Sequence, residues 1–180
     1  DKYTNGTYSD NISWEYTNDG TLTLSGNGEM KLSDNGEYPW TGLKGKITKV
    51  VIEDGITTVV NSAFEGFAEL EALSLGKDIV KLEDYAFWKC YNLKEIELPN
   101  KLKYIGDCAI RDCNSLTSVI IPNSVTEIGV SSFSGCINLK SITLSSNITA
   151  IPQGAFGWCH SLESIVLPSG LQSIGLQGFT

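Results

Sequence analysis

The chain has 180 residues, of which 41% are hydrophobic and 19% charged, a composition that indicates a folded domain with a continuous core. Its formal net charge is −8 and its basic residues do not cluster, which argues against binding to nucleic acid or to an anionic membrane surface. No apolar stretch approaches the ~20 residues that span a bilayer, so direct membrane insertion is not expected.

The first 46 residues do not repeat and are predicted to form a β-rich N-terminal cap. Residues 11–17 and 21–25 are rich in β-forming residues, and the Asn-Asp-Gly sequence at 18–20 between them is typical of a hairpin turn. A stacked fold needs its first coil covered, because an apolar end and an unpaired strand edge would otherwise face water. We therefore expect Trp14 and Trp40 to pack over the first coil. A separate ligand-binding domain is the alternative.

From residue 47 onward the sequence repeats every 23 residues, five times in full and a sixth time in part. A constant period without insertions is typical of a solenoid, in which each unit buries its apolar face against its neighbours. The sequence therefore predicts a cap at 1–46 and a solenoid at 47–180. The repeats begin at Ile47, Leu70, Leu93, Leu116, Leu139 and Leu162.

Each repeat contains two apolar segments. Its fourth and sixth positions are two residues apart, so they share one face of a strand, and the stacked strands are predicted to form a parallel sheet along one side of the coil. A proline follows in three repeats and ends the strand. A second apolar pair, which begins at Ile56 in the first repeat, predicts an extended segment on the opposite wall. The glycines after it, at Gly106, Gly129 and Gly175, are predicted to make a turn with positive φ.

The last part of each repeat contains a small residue, a large apolar residue that is usually a ring and, three residues after it in most repeats, a cysteine. Alternation of small and large residues lets rings stack inside a narrow coil. We expect the cysteines to be free buried thiols, because side chains stacked in register fit the S–S torsion badly. Cys108 lies outside this column; it is the candidate for a reactive thiol, and the alternative, which we prefer, is a thiol that is merely half-buried. The column contains Cys90, Cys113, Cys136 and Cys159.

Catalytic and metal-binding signals are weak. His160 is the single histidine, and nothing marks a serine that it could activate. Glu71, Glu95 and Glu97 fall on neighbouring repeats, but calcium needs more oxygen ligands than these three supply. The sequence therefore predicts a protein that is not an enzyme, with no catalytic residues, no metal ligands and no cofactor.

The outward-facing strand positions, the third and fifth of each repeat, form the candidate ligand face. This face would suit an extended polypeptide or a glycan; the alternative is that β-branched residues stand there because strands favour them. Exposed tryptophans often contribute to binding, so Trp88 and Trp158 are candidate aromatic contacts unless they lie flat on the coil. The candidate face consists of Val51, Glu95, Glu97, Ile120, Thr143 and Val166.

The repeat pattern L-x-x-I-x-L-P-x-x-L-x-x-I-G-x-x-A-F-x-x-C-x-x resembles the BspA-like leucine-rich repeats of bacterial surface proteins. The leader, with Tyr38-Pro39-Trp40 before the first repeat, is similar to theirs as well. Departures from the pattern are Ile110 for phenylalanine, Phe67 for cysteine and Ser145 for proline. The resemblance implies an α/β-type leucine-rich-repeat solenoid, predominantly of β-strands and turns, with a parallel sheet of stacked short strands. It also implies a secreted or wall-attached location and carries over no catalytic residue.

The resemblance further implies a function. We expect an extracellular or cell-surface binding module for protein–protein or protein–glycan contacts, with adhesion to a host extracellular protein or glycan. The alternative is a structural spacer, a stalk that presents another domain of a longer surface protein. Weak end-to-end self-association through the incomplete last repeat is also expected, because that repeat leaves an apolar end.

Overall fold

The computed structural model describes residues 4–180, so the first three residues of the predicted cap lie outside it. Over this range the chain forms a β-solenoid of short strands joined by turns, with parallel sheets on two walls. The only helical element among the described residues is a single 3-10 turn at Thr41–Leu43. The predicted solenoid of strands and turns is confirmed; the 3-10 turn precedes the first repeat, and the repeats themselves, which lie wholly within the described residues, contain no helix.

The N-terminal segment forms three antiparallel strands that continue into the solenoid: β1 (Asn5–Ser9), β2 (Ile12–Thr17) and β3 (Thr21–Gly26). Strands β2 and β3 form a hairpin, and β3 then pairs in parallel with the first strand of the solenoid, Leu22 beside Val50 and Leu24 beside Ile52. One sheet therefore runs across the predicted boundary at residues 46–47, and the division into two domains stays a prediction.

The first wall of the coil is built by the fourth and sixth repeat positions, whose side chains point inward. It is not the continuous sheet that the repeat predicts. The strands before and after the third coil belong to two separate sheets, and residues 95–98 between them are in no ladder. The strands of this wall are β5 (Lys49–Ile52), β7 (Ala72–Leu75), β10 (Ser118–Ile120), β12 (Ser141–Thr143) and β14 (Ser164–Val166).

The second wall confirms the extended segments predicted opposite the first. It also consists of two sheets, because no ladder joins the strands of the fourth and fifth coils. Its strands are β4 (Gly28–Glu29), β6 (Ile56–Val59), β8 (Lys81–Leu82), β9 (Tyr104–Ile105), β11 (Glu127–Ile128), β13 (Ala150–Ile151) and β15 (Ser173–Ile174).

The turn side, which closes each coil between the second wall and the next repeat, is hydrogen-bonded from coil to coil without a gap. The residue in the ring column donates its amide hydrogen to the next coil at each step, from Phe64 to Ala86 at 2.9 Å through Phe156 to Gly178 at 2.8 Å. The rings stack as predicted, with Phe133 and Phe156 centroids 5.5 Å apart and an interplanar angle of 16°. This side holds neighbouring coils together where a wall is interrupted.

The cap covers the first coil through Trp40, which is fully buried. Its ring stacks on Phe64 with centroids 5.9 Å apart, and its Nε1 donates to the Ala63 carbonyl oxygen at 3.0 Å. Tyr38 stacks on the other face of Trp40 at 5.3 Å. Trp14 is also buried, on β2. Trp40 therefore extends the column of rings by one step, which is the covering role expected for it.

The prediction of positive φ at Gly106, Gly129 and Gly175 is wrong. Positive φ occurs two residues later, where the column contains mostly side-chain-bearing residues such as Cys108, at 54°. Glycine is required for space instead: a Cβ on Gly129 would lie 2.4 Å from the backbone nitrogen of Asp107 in the preceding coil. Close approach of two backbones, rather than turn geometry, thus accounts for this column.

Candidate functional site

Three residues of the candidate ligand face form a continuous row on the first wall. Ile120, Thr143 and Val166 are neighbours on β10, β12 and β14, paired in register across two parallel ladders. All three are exposed, Ile120 to 68% and Val166 to 85%. Exposed aliphatic side chains that are held in register by a sheet are a surface on which an extended chain can pack. We call these three residues the outward row.

No ladder joins the other members of the candidate face to this row. Val51 is half-buried on β5, whose neighbours are β3 and β7. Glu95 and Glu97 are exposed, but they lie on residues 95–98, which pair with neither neighbouring strand. Glu95 and Glu97 do line a groove together with Ile120, but only the outward row is joined by ladders throughout.

The interruption at residues 95–98 is visible in the backbone hydrogen bonds. Between the second and third coils on this wall, the amide of Lys94 donates to the Glu71 carbonyl at 3.2 Å. Within the described chain, the backbone groups of residues 95–98 make no hydrogen bond to β7 or to β10. Glu95 and Glu97 are the only outward carboxylates on this wall, and glutamate is depleted in strands because it packs poorly on a pleated surface. We call this interruption the sheet gap.

A groove lies on each side of the unpaired segment. The first, of about 560 Å³, is lined by the apolar side chains of Leu73, Leu75 and Leu98 together with charged residues that include Glu97. Leu73 and Leu75 are half-buried there, whereas the residues at their positions in the preceding coil are fully buried. The second groove, of about 420 Å³, includes Ile120. The sheet gap therefore exposes apolar groups that other coils bury.

The charges around the sheet gap are unbalanced. Lys77 lies 3.7 Å from Asp54 and Lys101 lies 2.8 Å from Asp78, so both lysines beside the first groove have an acidic partner. The Lys101 hydrogen bond also lowers the pKa of Asp78. Glu95 and Glu97 take part in none of the ion pairs found among residues 4–180. The gap therefore carries an excess of negative charge.

The two candidate tryptophans differ in their surroundings. Trp88 is partly buried, its Nε1 donates to Asp112 Oδ2 at 3.0 Å, and the Lys89 ammonium lies 4.3 Å from the centre of its ring. Trp158 is 64% exposed, with its ring edge-to-face to His160 at 5.7 Å. They lie on the second and fifth coils, so the structure does not bring them together. Trp158 has the more accessible ring.

The four cysteines of the repeat column are buried and free, as predicted. Each thiol donates to a backbone carbonyl of the preceding coil, as Cys136 does to Ile110 at 3.2 Å. This role as a hydrogen-bond donor was not recognised from the sequence. Burial raises the pKa of Cys90 to about 12 and that of Cys136 well above its usual range. Cys108 is buried as well, so the prediction that it is half-buried is wrong.

No group of three or more His, Cys, Asp and Glu residues that could hold a metal ion occurs in the described part of the chain. Between residues 4 and 180 the structure contains no helix of the length and apolarity that crossing a membrane requires.

Sequence reasoning did not find the leucines of the first groove. Leu73 and Leu75 occupy inward repeat positions, so the periodicity assigns them to the core. The one available signal was the glutamate pair at 95 and 97, since two strand-disfavouring residues on one face weaken a ladder.

Comparisons with known proteins agree with this geometry. The family model of the BspA type leucine rich repeat region matches residues 41–160 in six copies. A leucine-rich repeat protein of T. pallidum is 25% identical, with a TM-score of 0.73 over 94% of this chain and 85% of that one. One from Bacteroides ovatus is 27% identical, with a TM-score of 0.74 over 95% of this chain and 49% of the other. This chain therefore spans about half the length of the B. ovatus protein. A comparison with curated proteins gave no significant match.

Proposed function

We propose that this chain, which belongs to the BspA-type leucine-rich-repeat family, is an extracellular or cell-surface module that binds a host protein or glycan through its first wall. The observation that carries the proposal is the outward row, where Ile120, Thr143 and Val166 are exposed and held in register. Repeat solenoids typically present such extended surfaces to partners and are typically not enzymes.

Physical chemistry favours a polypeptide over a glycan on this row. Ile120 and Val166 are aliphatic, whereas sugar rings stack on aromatic faces. Trp158 is the exposed aromatic candidate, but it lies on the turn side, away from the first wall. A glycan would therefore be expected at Trp158 and a polypeptide on the outward row.

A binding screen tests the proposal. The purified chain is applied to immobilised fibronectin, fibrinogen, laminin, collagen, mucin and a glycan array at two salt concentrations. A salt-tolerant polypeptide partner is expected, because burial of aliphatic side chains is not screened by ions. The double substitution Thr143→Glu and Val166→Glu should abolish its binding. The matched control is Thr126→Glu with Thr149→Glu, which adds the same charge at exposed positions beside the second wall.

A structural spacer is the second candidate. The unbroken hydrogen bonding of the turn side, together with rings stacked at 5.4–5.5 Å, favours a stiff rod. If no component of the screen binds, and a cooperative thermal transition shows that the fold is intact, the result would support the spacer and contradict the binding proposal.

Self-association through the last coil is a further expectation. Ile174 and Leu176 there are 51% and 74% exposed. Sedimentation velocity of the 180-residue chain should show a weak dimer whose fraction rises with concentration, and Leu176→Glu should remove it. A single monomeric species at every concentration would contradict this expectation.

A further inference from the structure

The sheet gap combines an unpaired backbone segment with flanking grooves, two properties of sites that bind extended peptides. The backbone amides and carbonyls of residues 95–98 lie between β7 and β10 in the coil order and make no hydrogen bond to either strand. Unpaired strand edges are templates for an added chain, because a partner backbone supplies the missing bonds. The grooves on either side, of about 560 and 420 Å³, lie within the range of 300–1,000 Å³ typical of ligand sites.

The side chains around the gap indicate the chemistry of the occupant. Leu73 and Leu75 are partly uncovered in the first groove and would pack against apolar side chains. Glu95 and Glu97 are two residues apart and therefore project to the same side of the unpaired segment. Because neither has a cationic partner while the nearby lysines do, the charge that the site lacks is positive.

We propose that the sheet gap binds an extended segment of a partner polypeptide in which basic and aliphatic residues alternate. Its basic side chains pair with Glu95 and Glu97, its aliphatic side chains pack on Leu73 and Leu75, and its backbone bonds to the open edges of the gap. This inference rests on the proposed function, since it names one site and one class of partner for the same wall. It adds electrostatic selectivity, which the aliphatic outward row does not supply.

Peptide titration tests the proposal on the full chain. The probe is the synthetic peptide acetyl-Val-Lys-Val-Lys-Val-Lys-Val-amide, and the matched control is the same peptide with glutamate in place of lysine. We expect saturable binding of the basic peptide alone. Amide resonances of residues 72–75, 95–98 and 118–120 should shift in ¹⁵N spectra, and the amides of residues 95–98 should exchange with solvent more slowly in the complex. Equal affinity for the two peptides, or shifts confined to other surfaces, would overturn the proposal.

Two double variants distinguish the charge of the gap from the overall charge of the chain. Glu95→Gln with Glu97→Gln should weaken the basic peptide about 5- to 10-fold, since each exposed ion pair accounts for a factor of a few. Glu127→Gln with Glu163→Gln makes the same change in net charge at exposed positions outside the gap and should leave the affinity within about twofold. Equal loss in both double variants would mean that overall charge attracts the peptide, and the site would be rejected.

The two proposals can fail separately. If a host polypeptide binds, is lost with Thr143→Glu and Val166→Glu, and is unaffected by Glu95→Gln with Glu97→Gln, the binding function stands and the peptide site is rejected. If the basic peptide binds at the gap while the host panel stays silent, the peptide site stands and the proposed host partner is rejected.

Discussion

The first wall lacks a ladder around residues 95–98, whereas the second wall lacks one between β11 and β13. In the second wall the Thr149 amide makes no bond to the preceding coil, unlike Thr126 and Gln172 at the same repeat position, and Pro152 removes a second bond. The residues at its position in other coils donate to the preceding coil, as Gly129 does to Ile105 at 2.7 Å, and proline has no amide hydrogen to donate. In the first wall every amide is present and the bonds are still not made.

This difference decides what each interruption can do. Loss of a donor removes one hydrogen bond and leaves little for a ligand to complete. Unmade bonds at residues 95–98 leave donors and acceptors on both sides, beside uncovered leucines. The two interruptions therefore differ in that the first contains no proline and lies beside uncovered leucines. Substitutions can show what holds the coils together across the interruptions and whether the first interruption depends on its glutamates.

The largest effect is expected from Phe133→Ala. Phe133 belongs to the ring column on the turn side, which holds the coils together for both walls. Phe133 is fully buried and stacks on Phe156, so its removal should lower the free energy of unfolding by about 3–5 kcal/mol. Phe179→Ala is the matched control, because that ring is exposed at the last coil and should cost clearly less. Thermal or urea unfolding measures both. Equal losses would mean that the ring column does not carry cohesion across the interruptions.

The next effect is expected at Gly129 on the second wall. An alanine there would place its Cβ 2.4 Å from a backbone nitrogen of the preceding coil, so the coils must separate, at a cost of roughly 1–3 kcal/mol. Gly170→Ala is the control, since nothing lies within 4 Å of its Cβ. Unfolding midpoints in urea compare the two. A neutral Gly129→Ala would show that this wall is as loosely packed as the first.

The buried thiols predict loss of stability in alkali. Burial raises the pKa of the Cys136 thiol in the folded state, whereas in the unfolded chain that pKa is about 8.5. The stabilisation is therefore complete below that pH. It is lost as pH rises further, at up to about 1.4 kcal/mol per pH unit for each thiol. Between pH 9 and 10.5, the unfolding midpoint should fall less steeply with pH in Cys136→Ala than in the parent chain. An unchanged slope would contradict the assignment.

The smallest effect concerns the sheet gap itself. Glu95→Thr with Glu97→Thr replaces two strand-disfavouring residues by strand-favouring ones and should stabilise the chain by about 0.5–1 kcal/mol. Amides of residues 95–98 should then exchange more slowly with solvent, as closed ladders do. The pair Ser141→Thr with Ser164→Thr, on strands that are already paired, controls for β-propensity alone. Fast exchange that persists in the variant would mean that the glutamates do not cause the gap.

The period of 23 residues was sufficient to predict the solenoid, both walls and the buried columns. Residues at the same repeat position lie beside one another in successive coils. The sequence at each position therefore shows which side chains are neighbours. Phe133 beside Phe156 and the buried Cys136 follow directly from that spacing. Three of the six candidate surface residues, Ile120, Thr143 and Val166, were likewise predicted to lie together on adjacent strands, and they do.

Backbone details were decided only by the tertiary structure. Positive φ is located at the column of Cys108 and not at Gly129, because the closest approach of two coils, and not the turn, requires glycine. The sequence also did not predict the sheet gap, because residues 95–98 follow the same apolar pattern as the strands of the other repeats. Periodicity determines which residues are neighbours, whereas a ladder also depends on the orientation of neighbouring backbones. That orientation arises from the packing of whole coils, which no single column of the sequence records.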